Sequence, residues 1–281
     1  MDVADPRELA RALGRHGARA AKSLGQHFLV DRSVLAAILD AAELGPGDRV
    51  LEVGPGAGVL TRALAERAGS VTAVEVDERM VRLLAETLAD RPNVRVLHAD
   101  ALKVDLFAPE PPTRVVANLP YQITSPLLMR FLGDPRRPPL VVVLVQEEVA
   151  RRIVARETDA KERGFLSIFA QSFADARIVR RVPPRAFRPP PRVSSAVVVL
   201  RTRVVPAFAP LAREPFLRFV SDVFRHRRKQ LRSALGHEAG VDRERATAAL
   251  AAAGIEPRLR PEELSLERWV ALARAVGVPE A

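Results

Sequence analysis

Short apolar runs alternate with amphipathic segments through the central part of this chain of 281 residues. The runs are hydrophobic throughout rather than at every second position, which is typical of parallel strands covered on both faces of a sheet. We predict such strands at residues 49–53, 70–76, 94–99, 114–118 and 140–146. Apolar residues spaced three and four apart predict helices between them, at residues 59–68, 77–90, 125–133 and 147–157. The alternation predicts an α/β fold with a doubly wound, Rossmann-like sheet.

The pattern changes after a further predicted helix at 165–173. Two extended runs, 176–182 and 195–204, are expected to finish the sheet in antiparallel orientation. Helices follow at 214–236, 242–253 and 265–276, the first as one long helix. Trp269 falls on the apolar face of the last helix, so we expect it in a core. We therefore expect three parts: a basic N-terminal arm at 1–25, an α/β domain at 26–205 and a small all-helical C-terminal domain at 206–281.

The composition excludes several classes of protein. The chain has no cysteine, which rules out disulfides and thiol catalysis, and its five histidines show no paired helical spacing, so we expect no metal. The longest apolar run, 140–145, is too short to cross a bilayer, and the N-terminus has no signal-like apolar region. We expect a cytoplasmic protein without membrane contact, and a monomer.

The formal net charge is +10, which favours a polyanionic partner such as nucleic acid or an anionic membrane surface. The basic residues are nearly all arginine. A GC-rich genome and a thermophilic source both explain this bias, and the sequence leaves both open.

Three glycines follow the first predicted strand, in LEVGPGAGVLT. Gly54, Gly56 and Gly58 let the backbone turn sharply and approach a ligand. Their GxGxG spacing differs from the GxGxxG of dinucleotide sites, and no GxxxxGK[ST] motif is present, which argues against a pyrophosphate ligand. Glu75 and Asp100 end the next two strands, where carboxylates can accept from ribose hydroxyls and an adenine amine. Together these residues predict a crevice for an adenosine-bearing ligand.

The fourth predicted strand ends in Asn-Leu-Pro-Tyr, residues 118–121, on the same edge of the sheet. An adenine amine is a poor nucleophile because its lone pair is delocalised into the ring. The side-chain oxygen of Asn118 and the carbonyl of Leu119 can accept its hydrogens and aim the lone pair at an electrophile. Pro120 restricts the direction of that carbonyl, and Tyr121 offers a flat face for an extruded base. If the second substrate is an adenine, the stretch is suited to hold the base and to activate its exocyclic amine; the alternative is a plain turn that happens to contain a Tyr.

These motifs resemble those of the ribosomal RNA adenine dimethyltransferases, most of all the branch that modifies two adjacent adenosines near the 3′ end of 16S rRNA. The resemblance covers nearly the whole chain. The motifs that carry it are LGQHFL (24–29), LEVGPGAGVLT, VEVD (74–77), HADAL (98–102), NLPY, VQEEVARRI (145–153), FRPPPRVSSAVV (187–198), FRHRRKQLRSAL (224–235) and RPEELSLERWVAL (260–272).

The resemblance implies S-adenosyl-L-methionine as the methyl donor. The cofactor site that it implies includes His27, Leu29, Gly54, Gly56, Glu75, Asp100 and Asn118. It implies that residues 118–121 hold the target base, with Phe187 as a second aromatic side chain near it. The chain departs from the family pattern at His27, where Asn is common, and at Ser194, where Asp is common. We assign no role to Ser194.

We expect direct methyl transfer from the sulfonium to adenine N6, twice per base. The sulfonium is already a strong electrophile, so alignment and polarisation of the amine are expected to supply much of the catalysis, and we name no general base.

Two basic clusters predict contacts with RNA phosphates. Residues 177–203 contain eight Arg and no Asp or Glu, and a second cluster lies at 225–232. The predicted RNA-binding residues are Arg180, Arg181, Arg185, Arg188, Arg192, Arg225, Arg227, Arg228, Lys229 and Arg232. The N-terminal arm is a weaker third cluster. The resemblance implies 16S rRNA in the immature small ribosomal subunit as the partner, contacted in part by the C-terminal domain.

Two alternatives remain at this point. One is a large-subunit rRNA adenine dimethyltransferase, which shares the fold and the chemistry; the C-terminal motifs favour the small-subunit branch. The other is a non-catalytic RNA-binding assembly factor on the same scaffold. The complete set of Gly54, Glu75, Asp100 and Asn118 argues against a pocket that has lost its activity.

Overall fold

The computed structural model describes residues 5–17, 26–238 and 241–281. Contacts between Cα atoms divide the chain into two compact units. The first comprises Met1–Ala150 and Arg177–Thr202, and the second comprises Arg151–Ala176 and Arg203–Ala281. The sequence analysis assigned 151–176 to the α/β domain, whereas its contacts group it with the helical residues. The functional division into domains stays a prediction.

The first unit is built on a seven-stranded mixed sheet and also contains a separate two-stranded sheet. The strands are β1 (Phe28–Leu29), β2 (Arg49–Val53), β3 (Ser70–Glu75), β4 (Val94–His98), β5 (Arg114–Asn118), β6 (Leu140–Gln146), β7 (Ala174–Val182), β8 (Phe187–Arg188) and β9 (Ser195–Thr202). Their order in the sheet is β4-β3-β2-β5-β6-β9-β7, while β1 and β8 pair separately. Strands β2 to β6 are parallel, and β9 is antiparallel to β6. The predicted α/β, Rossmann-like fold is confirmed.

The helices follow the predicted alternation in the first unit and dominate the second. They are α1 (Pro6–Arg15), α2 (Arg32–Ala42), α3 (Val59–Ala65), α4 (Glu78–Thr87), α5 (Thr124–Gly133), α6 (Glu147–Val154), α7 (Phe165–Phe173), α8 (Arg213–Arg225), α9 (Leu231–Glu238), α10 (Arg243–Ala252) and α11 (Leu266–Val276). Asp31 and Asp77 cap α2 and α4 by accepting backbone N–H groups, which sets where these helices begin.

The continuous apolar strands are buried, as their composition requires. The first six residues of β6 are fully covered, and α2 buries Ile38 and Leu39 in the same core cluster. Strand β2 lies between β3 on one side and β5 on the other, so the chain reverses its direction across the sheet at this point. In parallel α/β sheets a crevice opens at the carboxyl ends of the strands at such a reversal. The topology thus places the ends of β2 and β5 at one site.

The second unit buries Trp269, which confirms that prediction. Its ring centroid lies 6.0 Å from that of Phe219 and 5.2 Å from that of Phe224. Arg163 is also buried in this unit, where Nε donates to the Leu264 carbonyl at 3.1 Å.

The prediction of one long helix over 214–236 is wrong, because α8 and α9 are separated by a turn. The N–H groups of His226 and Arg227 donate to carbonyls three residues back rather than four, and the Leu231 N–H donates to the carbonyl of Leu259 at 2.8 Å. The residues of the turn, HRRKQ, include no aliphatic side chain that could extend the buried stripe of α8. In this turn Arg228 and Lys229 are exposed, whereas His226 and Arg227 are partly buried.

Within the described ranges, every helix is too short or too polar to cross a membrane. The same residues contain no group of three or more His, Asp or Glu side chains placed to hold a metal ion.

The N-terminal arm is described only in part, since residues 1–4 and 18–25 lie outside the described ranges. Helix α1 buries Leu9 and Ala12 in a cluster that includes Phe28 and Met80. Arg15 and His16 both contact the carboxylate of Glu86, at 2.5 and 2.7 Å.

Candidate active site

A glycine loop connects β2 to α3 and lies against one aromatic side chain and one proline side chain. Gly54 and Gly56 have φ values of 73° and 57°, which only glycine adopts readily. A Cβ atom on Gly54 would lie 3.2 Å from the ring of Pro120, and one on Gly56 would lie 3.0 Å from the ring of Phe28. The glycines therefore allow the end of β2 to approach the Asn-Leu-Pro-Tyr segment.

A cavity of about 270 Å³ opens at the carboxyl ends of β2, β3 and β5. Its lining contains the predicted cofactor and base residues His27, Leu29, Gly54, Gly56, Glu75, Asp100, Asn118, Leu119, Pro120 and Tyr121. Phe187 is not brought to the cavity. Its side chain is fully buried in the core, and its backbone pairs with Leu29 in the small β1–β8 sheet. In this structure Phe187 supports the strand behind the cavity.

Glu75, the last residue of β3, presents a buried carboxyl group to the cavity. Its Oε1 accepts from the N–H groups of Val76 and Asp77, each at 2.9 Å. Burial raises the pKa of Glu75, and these backbone donors, with that of Gly56, oppose the rise. A carboxyl held in this way is suited to accept hydrogen bonds from a pair of ribose hydroxyls.

Asp100 lies two residues beyond β4 and is partly exposed. The N–H of Leu102 donates to its Oδ1 at 2.9 Å, and the Lys103 ammonium lies 3.4 Å from Oδ2. The Leu102 N–H, with Lys103, lowers the pKa of Asp100. The side chain is thus a fixed, ionised acceptor at the rim of the cavity.

Glu52 is a further cavity residue that the sequence analysis missed. It lies within β2, its side chain is buried, and Oε2 makes no hydrogen bond. Burial, with the neighbouring charge of Glu75, raises the pKa of Glu52 to about 8. A charged residue type inside an otherwise apolar strand was the available signal.

Asn118 ends β5, and the structure defines the orientation of its amide. Nδ2 donates to the carbonyl of His27 at 3.1 Å. A carbonyl only accepts, so this contact fixes the amide group and leaves Oδ1 as the acceptor that can meet a ligand amine. Pro120 follows at the start of a tight turn, where its carbonyl accepts from the Ile123 N–H at 3.2 Å.

Tyr121 is held on two sides. Its hydroxyl lies 2.7 Å from Oγ of Ser195, and its ring stacks on that of His27 with centroids 5.6 Å apart and planes inclined by 28°. Burial raises the pKa of Tyr121, so the phenol stays neutral at physiological pH. The ring is therefore a neutral aromatic wall of the cavity.

The predicted RNA-binding residues of the first unit fall into two groups. Three bind the chain itself: Arg180 donates to Ser33 Oγ at 2.7 Å, Arg181 lies 3.3 Å from the Glu147 carboxylate, and Arg188 donates to the Phe187 carbonyl at 3.1 Å. The second group is Arg185 and Arg192, which are exposed and whose guanidinium groups make no hydrogen bond or ion pair with the described residues.

The second unit shows the same division. Arg227 donates to the carbonyls of Ala160 and Lys161. Arg225 lies 3.4 Å from the Asp222 carboxylate, and Lys229 also has a partner. Arg228 is exposed and Arg232 half-buried, and neither side chain is bound to another part of the chain that the structure describes.

Comparison with known proteins decides the family. Residues 17–276 match the family model described as "Ribosomal RNA adenine dimethylase". The chain belongs to this family. It is an S-adenosylmethionine-dependent methyltransferase.

Named relatives lie within the family. The "Ribosomal RNA small subunit methyltransferase A" of Deinococcus radiodurans is 45% identical over 97% of this chain and 91% of its own. The protein of the same name from Moorella thermoacetica is 41% identical over 98% of both chains.

Solved structures share the fold. A dimethyladenosine transferase from Plasmodium falciparum matches with a TM-score of 0.78 and 23% identity, over 90% of this chain and 99% of its own. The 23S rRNA methyltransferase ErmE matches with a TM-score of 0.69 and 32% identity, over 89% of this chain and 99% of its own.

The residues of the cavity fit the family's cofactor. The buried, unpartnered oxygen of Glu52 and the carboxyl of Glu75 place hydrogen-bonding oxygens where a nucleoside would bind. The absence of a side chain at Gly56 lets the loop pack against the ring of Phe28, which also lines the cavity. When bound, S-adenosylmethionine supplies an electrophilic methyl group on its sulfonium. The roles predicted for Glu75 at its ribose and for Asp100 at its adenine stay predictions; both residues line the cavity.

Proposed function

We propose that this enzyme transfers methyl groups to the N6 amines of two adjacent adenosines near the 3′ end of 16S rRNA, in the immature small ribosomal subunit. The orientation of Asn118 carries the proposal. Its amide is anchored through Nδ2, so Oδ1 at the mouth of the cofactor cavity is the acceptor available to an amine. The names of the relatives support the small subunit as the source of the RNA.

The proposed reaction needs alignment more than acid–base chemistry. Asn118 Oδ1 and the Leu119 carbonyl accept the two hydrogens of the amine and direct its lone pair at the methyl group. The contact between Gly54 and Pro120 holds this segment beside the cofactor loop. Holding two reactants in a near-attack geometry is worth about 7 to 11 kcal/mol of a reaction barrier. The amine proton leaves to solvent after transfer, and no side chain of the cavity is assigned as its acceptor.

The basic residues that have no partner in the chain are proposed as phosphate contacts. Arg185 and Arg192 flank the segment 187–191, which includes β8 and the Pro189 carbonyl that contacts His27. A phosphate backbone bound there would run past the residue that holds Asn118 and stacks on Tyr121. Arg228 and Arg232 are the corresponding candidates in the second unit. We propose that the protein acts in the cytoplasm as a monomer.

The deciding experiment is transfer of labelled methyl groups from S-adenosylmethionine to isolated ribosomal subunits, followed by mapping of N6,N6-dimethyladenosine. We expect label in immature small subunits, in two adjacent adenosines near the 3′ end of their RNA. Label confined to large subunits would favour the large-subunit alternative, for which the similarity to ErmE is the supporting observation. Folded protein that binds RNA and cofactor without transfer would favour the non-catalytic assembly factor.

A further inference from the structure

The ring of Tyr121 is attached to the protein at two places that belong to different elements. Its hydroxyl meets Ser195 Oγ at 2.7 Å, and one ring face meets His27. Neither residue adjoins Tyr121 in sequence, so the contacts join the Asn-Leu-Pro-Tyr segment to β9 and to the strand region of β1. The position of the ring is therefore set by three separate parts of the first unit.

Ser195 gives the phenol a rigid attachment. It is the first residue of β9, it pairs with Gln146 in the β6–β9 ladder, and its side chain is fully buried. The neighbouring Ser194 carbonyl accepts from the Glu147 N–H at 3.0 Å. A hydroxyl on a backbone held in this way has little freedom, so its bond to Tyr121 fixes the tilt of the ring.

His27 gives the ring a second attachment, and its own orientation is fixed. Nδ1 lies 2.8 Å from the carbonyl of Pro189. Since a carbonyl can only accept, Nδ1 carries the hydrogen, and this bond holds the imidazole plane. The backbone carbonyl of the same residue accepts from Asn118 Nδ2. One residue thus orients both the amide and the aromatic ring of the base site.

The stack between His27 and Tyr121 covers one face of the tyrosine ring and so limits where a base can stack on it. The centroids are 5.6 Å apart, whereas inserting an aromatic base between two rings requires about 7 Å, two contacts of about 3.5 Å each. A base cannot enter between them without moving one ring. A base that stacks on Tyr121 without moving either ring therefore uses the face opposite His27.

We propose that Ser195 and His27 are positioning residues that clamp Tyr121, so that the target adenine stacks on the ring face opposite His27. The proposal rests on the proposed function, because it assigns the base site of that same reaction. Neither residue touches the reacting atoms; both act through Tyr121 and, for His27, through Asn118.

The first test is a double-mutant cycle between Tyr121→Phe and Ser195→Ala, which remove the two hydroxyls of one hydrogen bond. We expect each change to lower kcat about fivefold to tenfold, and the double variant to be no slower than either single one. The dissociation constant of the cofactor, measured by calorimetry, stays within about twofold. Additive losses, or an unchanged kcat in Ser195→Ala, would overturn the clamp.

A matched control is Ser172→Ala in α7. Ser172 is also fully buried, and its hydroxyl donates to the carbonyl of Ile168 at 2.7 Å. Removing it tests whether loss of any buried serine hydroxyl lowers kcat. We expect Ser172→Ala to leave kcat within about twofold of the wild type; a loss equal to that of Ser195→Ala would overturn a specific role for Ser195.

The second test reads the clamp without catalysis. Tyr121 is the only tyrosine, so its ring gives one set of NMR resonances in protein with labelled tyrosine. Ser195→Ala and His27→Asn are each expected to shift these resonances, and Ser172→Ala to leave them in place. Unmoved resonances in Ser195→Ala and His27→Asn would overturn the clamp even if the wild type methylates RNA. If both variants shift the resonances while the wild type methylates no RNA, the clamp is supported and the proposed function is overturned.

Discussion

The cavity and the arginine-rich stretch 177–203 use their polar side chains in opposite ways. In the cavity, Glu52 Oε2 is buried without a hydrogen bond, and the anchored amide of Asn118 leaves Oδ1 for a ligand. In the arginine-rich stretch, Arg180 and Arg188 donate to groups of their own chain, and Arg201 pairs with Glu43. Arg177, Arg185 and Arg192 are the exceptions there, because their side chains are exposed and make no hydrogen bond or ion pair with the described residues. A polar group thus indicates a binding site when the fold leaves it without a partner, whereas an abundance of charge alone does not.

The largest effect is expected from the buried carboxyl of Glu52, and it is an effect of pH on stability. The native pKa of about 8 exceeds the value of 4.5 of an unperturbed Glu, so between these two pH values the native state holds a proton that the unfolded state has lost. Stability therefore falls as pH rises from about 5 to about 8 and is level above that. The full shift corresponds to at most about 5 kcal/mol.

Glu52→Gln should remove most of this pH dependence. Denaturant unfolding without cofactor, at pH 5 and pH 8, measures it, with Glu78→Gln as the control because Glu78 is exposed on α4. The same fall in stability in wild type and Glu52→Gln would show that Glu52 does not carry a raised pKa.

The next largest effect is expected from Glu75, a carboxylate in the cavity lining. Glu75→Gln keeps the size of the side chain but removes its charge, and a hydrogen bond to a charged group is worth about 1.5 to 3 kcal/mol. We expect the dissociation constant of S-adenosylmethionine to rise about 10-fold to 100-fold, measured by calorimetry. Glu78→Gln, three residues on and outside the cavity lining, should leave it unchanged. Equal affinities of Glu75→Gln and wild type would remove Glu75 from the cofactor site.

The arginine-rich stretch gives a smaller and more distributed effect. The double variant Arg185→Ala/Arg192→Ala should weaken RNA binding about tenfold and reduce the salt slope of the binding constant by about 2, one for each lost phosphate contact. Arg180→Ala is the matched control, since its guanidinium is already bound to Ser33. If Arg180→Ala weakened RNA binding as much as the double variant, a bond within the chain would not distinguish arginines that leave RNA alone from arginines that bind it.

The smallest effect distinguishes two neighbours in the turn between α8 and α9. Arg227→Ala removes donors to the Ala160 and Lys161 carbonyls, so we expect a loss of about 1 to 2 kcal/mol in stability with little change in RNA affinity. Arg228→Ala should weaken RNA binding with little change in stability, because that side chain is exposed and makes no hydrogen bond or ion pair with the described residues. Equilibrium unfolding and RNA titration of both variants test the pair; identical behaviour would contradict the assignment.

Residues at strand ends could be predicted from the sequence because the topology of a parallel sheet decides where they go. Gly54, Glu75 and Asn118 each follow an apolar run, and parallel pairing brings those ends to one edge. Ser195 could not be predicted as a partner of Tyr121. That contact depends on the register of β9 against β6, which no local pattern encodes.

The basic clusters and the long helix show the limit of local patterns. Apolar positions on both sides of the turn keep helical spacing, yet the Leu231 N–H donates to a distant carbonyl instead of continuing the helix. Whether Arg227 binds RNA or a carbonyl of its own chain depends on the position of residues 160 and 161. Phe187 was predicted from its motif, but pairing of its strand with β1 buries it.

Asn118 Oδ1 is proposed to steer an adenine amine toward the methyl group of the cofactor. Single-turnover methyl transfer to small ribosomal subunits, at saturating cofactor, tests it with Asn118→Ala and with Asn93→Ala, which removes an amide outside the cavity lining. We expect the rate of methyl transfer to be about 100-fold to 1000-fold lower for Asn118→Ala, because an aligned contact to the transition state is lost. Asn93→Ala should transfer at a rate near that of the wild type. An Asn118→Ala enzyme that transfers methyl groups at the wild-type rate would contradict it.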